Sequence, residues 1–130
     1  MKKYSLILSK HISNTTKIKV YELCKNDESL FKGFVEEIEK DGNLLDNLAG
    51  AIRIVEDTSN LNRRPKSKFR EIKGCKLKCK VYEAKSGIIR IYLFHEEKTG
   101  RVVVSGGLKD NQGADLKSII KIIKEYQDEK

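Results

Sequence analysis

In Lys76-Leu77-Lys78-Cys79-Lys80-Val81-Tyr82-Glu83-Ala84-Lys85-Ser86-Gly87-Ile88-Ile89-Arg90-Ile91-Tyr92-Leu93-Phe94 the apolar and polar residues change places almost one for one. Leu77, Cys79 and Val81 alternate with Lys76, Lys78, Lys80 and Tyr82, and Ile89, Ile91 and Leu93 alternate with Arg90, Tyr92 and Phe94. A period of two predicts strands with one buried face, and Ser86-Gly87 between them is turn chemistry, so the pair reads as a β-hairpin. Lys98-Thr99-Gly100 turns the chain again, Arg101 to Ser105 supplies a third strand, and Gly106-Gly107 is expected to end the sheet. The expectation is a three-stranded antiparallel meander. One face would be apolar and packed on helices. The other would gather Lys76, Lys78, Lys80, Tyr82, Arg90 and Tyr92.

Upstream, Tyr4–Ser9 and Lys17–Leu23 read as two N-terminal strands, with Ser13-Asn14-Thr15-Thr16 as the turn of a hairpin. Asn26-Asp27-Glu28-Ser29 has the composition of a helix start, and Leu30, Phe31, Phe34, Val35 and Ile38 follow at helical spacing. Asp41-Gly42-Asn43 stops that helix, and Asn43 is expected to cap a second one striped by Leu44, Leu45, Leu48, Ala49, Ile52 and Val55. The short connection predicts an antiparallel helix hairpin. Asp57–Lys68, with the only proline, reads as an exposed loop. Downstream, Leu116, Ile119, Ile120, Ile123 and Tyr126 mark a closing amphipathic helix. The chain is therefore expected to form one α+β domain over residues 1–130.

Composition bounds what such a domain does. The 130 residues carry a formal charge of +8, and no apolar run reaches the ~20 residues of a membrane span. The apolar stretch after Lys2-Lys3 is too short for a signal peptide. Three cysteines suit a reducing cytoplasm better than a disulfide scaffold, which predicts a cytoplasmic protein. The charge is uneven. Residues 1–65 hold 11 basic and 10 acidic residues, whereas residues 66–130 hold 16 and 9. From Arg63 to Lys80 nine cations are interrupted by Glu71 alone, a field that attracts polyanions.

Catalytic signatures with fixed spacing are absent, with no phosphate loop, nucleophile elbow or metal-spaced cluster. Cys75 and Cys79, if on one strand, stand about 13 Å apart and cannot share a zinc ion. What remains is a sheet face of cations and phenols, which suits RNA: Lys and Arg for phosphates, Tyr for an unpaired base. Because RNA carries its own 2′-hydroxyl nucleophile, such a face can also support cleavage without a metal or cofactor.

The segments Lys73-Gly74, Leu77–Glu83, Ser86–Phe94, Gly100–Val104 and Gly107-Leu108-Lys109 together resemble the RelE/HigB/ParE toxin superfamily, its phage-derived HigB-like branch most of all. The resemblance implies a RelE-like domain and the toxin component of a toxin–antitoxin pair. It implies a ribosome-dependent mRNA endonuclease, whose partners are mRNA on the ribosome and a small cognate antitoxin. By that resemblance Lys78 and Lys80 bind phosphate, one of them accepting a proton, and Arg90 stabilises the transition-state charge. Arg70, Lys73, Lys76, Tyr82, Lys85, Tyr92 and Lys109 are expected to contact RNA. If Tyr82-Glu83-Ala84-Lys85 is instead matched to the family's Tyr-Glu-Leu-Arg, Lys85 becomes the basic residue. The Arg and Tyr that family members carry after the last strand are replaced by Asp110–Asp115. Two alternatives therefore stand beside cleavage: a ParE-like inhibitor of DNA gyrase, and an RNA-binding module without cleavage.

Overall fold

The computed structural model describes residues 2–13 and 15–130; Asn14, in the expected first turn, lies outside them. It is a mixed α+β fold whose mostly antiparallel sheet is covered on both faces. Strand β1 (Tyr4–Leu8) pairs antiparallel with β2 (Val20–Lys25), and a two-residue strand β3 (Glu28–Ser29) pairs with the end of β2. Helices α1 (Leu30–Asp41) and α2 (Leu45–Ser59) follow. The chain then runs through β4 (Phe69–Ile72), β5 (Val81–Ser86), β6 (Ile89–Glu96) and β7 (Gly100–Leu108) as an antiparallel meander. Helix α3 (Gln112–Asp128) closes it. The sheet order is β1-β2-β7-β6-β5-β4, and β2 beside β7 is its parallel pairing. No described helix is long and apolar enough to cross a membrane.

The helix ends follow local chemistry. Ser29 Oγ accepts the Lys32 N–H at 3.1 Å and caps α1, while Gly42 closes that helix with φ 78° and donates to the Ile38 carbonyl. Asn43 does not cap α2. Its amide donates to Asp41 Oδ1, and Leu44 takes the cap position without a side-chain bond.

The pleat of β5 and β6 sorts the core. Ala84, Ile89, Ile91 and Leu93 face α1 and α2, joining Phe31, Phe34, Val35, Leu48, Ala51, Ile54 and Val55. Val81, Tyr92 and Phe94 face α3, joining Val102, Val104, Ile119 and Ile123. This corrects the expected open sheet face. At about 1.5–3 kcal/mol per fully buried large apolar side chain, the α3 face is a core and not an RNA platform. Tyr92, fully buried, lies in it, whereas Tyr82 lies on the opposite side.

Three further expectations change. The meander has four strands, because Phe69–Ile72 pairs with β5 in the register Phe69↔Ala84 to Ile72↔Val81. Lys76, Lys78 and Lys80 lie before β5, not on it. Residues 73–80 bulge out between Ile72 and Val81, with Cys75, Leu77 and Cys79 packed against the α3 core and the lysines exposed. The alternation is thus real without strand pairing, and the strand-based spacing of Cys75 and Cys79 no longer applies. Finally, Gly106-Gly107 does not end the sheet. A Cβ on Gly106 would stand 2.3 Å from Phe34, and one on Gly107 2.0 Å from Asp115 Oδ2, so these glycines let side chains from both layers lie against β7.

Candidate functional site

The residues singled out from the sequence divide between two ends of β5. At the entering end, the Lys80 carbonyl accepts the His95 N–H at 3.0 Å, and Lys78 and Lys80 line a cavity of about 520 Å³ with Cys79, Tyr82, His95 and Glu96. At the leaving end, Lys85 is the register partner of Arg90, and Arg90 is the partner of Gly107. Arg90 and His95 are separated along β6 by about 17 Å at the rise of an extended strand. Lys78, Lys80 and Arg90 therefore do not converge on one phosphate.

A second group does converge. In an antiparallel pair, directly opposed residues share a face. Arg70 opposes Glu83, Glu83 opposes Tyr92, and Lys85 opposes Arg90, so five side chains of β4, β5 and β6 occupy one patch beside the start of α3. Lys109 N donates to the Ile88 carbonyl at 2.8 Å, which brings Lys109, at the end of β7, to the same hairpin turn. From the sequence-derived set, this patch unites Arg70, Lys85, Arg90, Tyr92 and Lys109. It leaves out Lys73, Lys76, Lys78, Lys80 and Tyr82.

The patch is tied at its centre by Glu83, which is fully buried. One carboxylate oxygen accepts Arg70 Nε at 3.0 Å and the other accepts the side-chain amide of Gln112, so a single carboxylate links β4, β5 and α3. Arg90 is buried to 7% exposure, and its Nη1 donates to the carbonyls of Gly87 at 2.8 Å and Ile89 at 3.0 Å. Its Nε and the Tyr92 hydroxyl are buried without hydrogen-bond partners. Two unsatisfied polar atoms in one patch are unusual in a folded core, where most such groups are paired.

The electrostatics follow from burial. The Tyr92 hydroxyl is pushed well above the ordinary phenol range by burial and by the charges of Glu83 and Asp115, so it stays a neutral donor. The Asp115 carboxyl, pressed against β7 over Gly107, is raised above the usual carboxylate range by burial. Four cations (Arg70, Lys85, Arg90 and Lys109) stand against two carboxylates (Glu83 and Asp115), which leaves a positive excess for an anionic ligand.

Glu83, Gln112 and Asp115 escaped the sequence reading as site residues. Gln112 and Asp115 lie in a helix start that follows the meander, and nothing in local spacing joins them to Arg70. The legible signal was the Tyr82-Glu83-Ala84-Lys85 alternative, which points to Lys85. Among the described residues, no group of three or more His, Cys, Asp or Glu is placed to hold a metal ion. Compared with known proteins, the chain matches no family model, no curated sequence and no solved structure.

Proposed function

We propose that this chain is the toxin component of a toxin–antitoxin pair of the RelE/HigB/ParE type, acting on mRNA at the ribosome as an endonuclease. The observation that carries this reading is the opposition of Lys85 and Arg90 across the β5–β6 turn, flanked by Arg70, Lys109 and the raised Asp115 carboxyl. Cleavage needs three things from the protein: a held phosphate, stabilisation of added negative charge, and proton transfer. Lys85 and Lys109 hold the scissile phosphate. Arg90, its Nη1 held by the Gly87 and Ile89 carbonyls, supplies a fixed positive charge for the charge that develops on the non-bridging oxygens. The 2′-oxygen attacks phosphorus, its proton passes to Asp115, and the bond to the 5′-oxygen breaks. A 2′,3′-cyclic phosphate and a 5′-hydroxyl result. Burial raises the Asp115 carboxyl above its ordinary value, which makes it a stronger base for accepting that proton and returning it. The exposed Lys73, Lys76, Lys78 and Lys80 supply sequence-independent attraction to the RNA backbone.

The test is expression of the wild type and of the Lys85→Ala, Arg90→Ala double variant in cells, with mapping of mRNA ends on ribosomes. The reading expects growth arrest and cuts for the wild type and loss of both for the variant. Arrest that survives the double substitution overturns it. Arrest with inhibited supercoiling and intact mRNA identifies a gyrase inhibitor instead. A second reading, RNA binding without cleavage, is favoured by the burial of Arg90 and the tethering of its Nη1. Salt-dependent RNA binding with intact transcripts on programmed ribosomes would support it. A small acidic antitoxin is the expected partner, and affinity capture that recovers none counts against the pair.

A further inference from the structure

A second arginine, Arg101 at the start of β7, stands on the opposite face of the sheet from Arg90. It is 8% exposed, and its Nη1 donates to Thr58 Oγ1 at 2.7 Å and Ser59 Oγ at 2.9 Å in the last turn of α2. Its guanidinium lies 5.1 Å from the Phe69 ring centre and 5.7 Å from that of Tyr82, and these two rings stack on each other at 5.2 Å. Nε is buried without a partner. Among the described residues, no carboxylate forms an ion pair with it. The hydroxyls, the rings and the negative end of α2 offset part of its charge, about half of one unit from the helix. A buried cation without a full counter-charge is costly to keep.

Arg101 is not sealed in. It forms the floor of a cleft of about 350 Å³ whose walls are Leu61, Asn62, Arg63, Arg64 and Phe69. Arg64 donates to Asp57 Oδ2 from Nη2 at 2.9 Å and from Nε at 3.2 Å, so Asp57 is committed to the rim and not to Arg101. Three guanidinium groups and one carboxylate leave two positive charges around the cleft. A single carboxylate ligand would balance half of that, and a phosphoryl dianion balances all of it. The guanidinium fork also matches phosphate oxygens geometrically. The volume exceeds what a bare phosphate fills and leaves room for a sugar or base beside Leu61 and Phe69.

We propose that this cleft binds a phosphoryl dianion, with Arg101 as its floor and Arg63 and Arg64 as its rim. The phosphoryl group comes either from free phosphate or from the end of a nucleotide. The proposal is independent of the cleavage reading, since the cleft lies across the sheet from Lys85 and Arg90.

Calorimetric titration of the full chain at fixed ionic strength tests it, with inorganic phosphate, uridine 5′-monophosphate, uridine and acetate as probes. One equivalent of phosphate or of the monophosphate is expected to bind, with acetate weaker by about tenfold. Arg101→Lys, which keeps the charge and loses the fork, is expected to weaken binding by about tenfold, and Arg63→Ala, on the exposed rim, by a few-fold at least. Monophosphate binding tighter than both phosphate and uridine identifies a nucleotide end, and equal binding of phosphate and monophosphate identifies free phosphate. Should Arg101→Lys fail to fold, Arg63→Ala decides. The absence of saturable binding by either phosphate probe overturns the site. So does acetate binding as tightly as phosphate, or unchanged affinity in Arg63→Ala.

Discussion

Residues 73–80 and the hairpin end around Lys85 and Arg90 are both basic, yet they hold their charge in different ways. Lys73, Lys76, Lys78 and Lys80 are exposed on a loop, and Lys73 pairs with Glu71 at 3.2 Å on the surface. Arg70, Lys85 and Arg90 stand in strand register, with Arg70 bonded to a fully buried Glu83. Exposed lysines are mobile point charges that attract any polyanion. Arg70, bonded to Glu83, and Arg90, bonded to the Gly87 and Ile89 carbonyls, hold fixed positions, which is what discrimination between ground and transition states requires. Charge density therefore marks a region of general attraction for polyanions, whereas register and burial mark the region where the proposed chemistry has fixed groups to work with.

Arg90→Ala separates the two regions most strongly. If Arg90 meets developing charge, its loss should lower single-turnover cleavage on programmed ribosomes about 10²–10³-fold, the usual effect of removing one such donor. Lys78→Ala should leave the cleavage step unchanged. Equal losses in the two variants would merge the regions into one electrostatic surface. The next largest effect is on stability. Glu83→Ala leaves Arg70 and the Gln112 amide without their acceptor, and breaking a buried pair of this kind costs about 3–5 kcal/mol. Arg70 is 41% exposed, so water recovers part of that and about 2 kcal/mol is expected from urea midpoints at constant m-value. Lys78→Ala should stay within about 0.5 kcal/mol of wild type.

A smaller effect sharpens the role of the loop. Lys78→Ala and Lys80→Ala should each weaken RNA binding a few-fold across all sequences and reduce the slope of log affinity against log salt by about one. A sequence-dependent loss would show that the loop reads bases.

How much of this was legible in the sequence depended on the range of the signal. The β5–β6 hairpin was readable because Ile89, Ile91 and Leu93 alternate and Ser86-Gly87 turns, all within one local window. The second covered face runs against the expected open face, although Tyr92 and Phe94 make β6 apolar on both sides, as strands buried on both faces are. Strand β4 carries no strand signal, because Phe69 and Ile72 flank two charged residues at a spacing of three and not two. The alternation from Lys76 to Lys80 is real as in-and-out packing but belongs to a loop and not a strand, because strand pairing depends on partners and Val81 already takes the last β4 position. Glu83, Gln112 and Asp115 meet only through the return of the chain after β7, a contact no local pattern encodes.

Two carboxylates, Glu22 and Asp115, have folded-state pKa values displaced in opposite directions. Glu22 on β2 is 1% exposed; burial alone would raise its pKa, but hydrogen bonds from Ser9 (2.6 Å), His11 (2.8 Å) and Ser29 (2.7 Å) outweigh it and hold the group below its ordinary value of 4.5. Asp115 is raised above its ordinary 3.8 by burial. For Glu22 the folded state binds its proton more weakly than the unfolded chain. Its contribution to stability is therefore present above pH 4.5 and is lost as the pH falls through the lower folded value. For Asp115 the folded state binds the proton more tightly, so stability from this group is fullest below 3.8 and is lost as the pH rises through the raised folded value. Urea midpoints measured from about pH 3 to pH 7 should therefore diverge. Glu22→Gln should lose stability at neutral pH and flatten the acid limb, whereas Asp115→Asn should gain slightly at neutral pH and nothing at the acid end. Parallel curves for Asp115→Asn and wild type would mean that Asp115 carries no folding penalty. If the curves diverge and the same variant also loses cleavage, Asp115 is a group kept ionisable at a cost to the fold, the pattern expected where activity and stability compete.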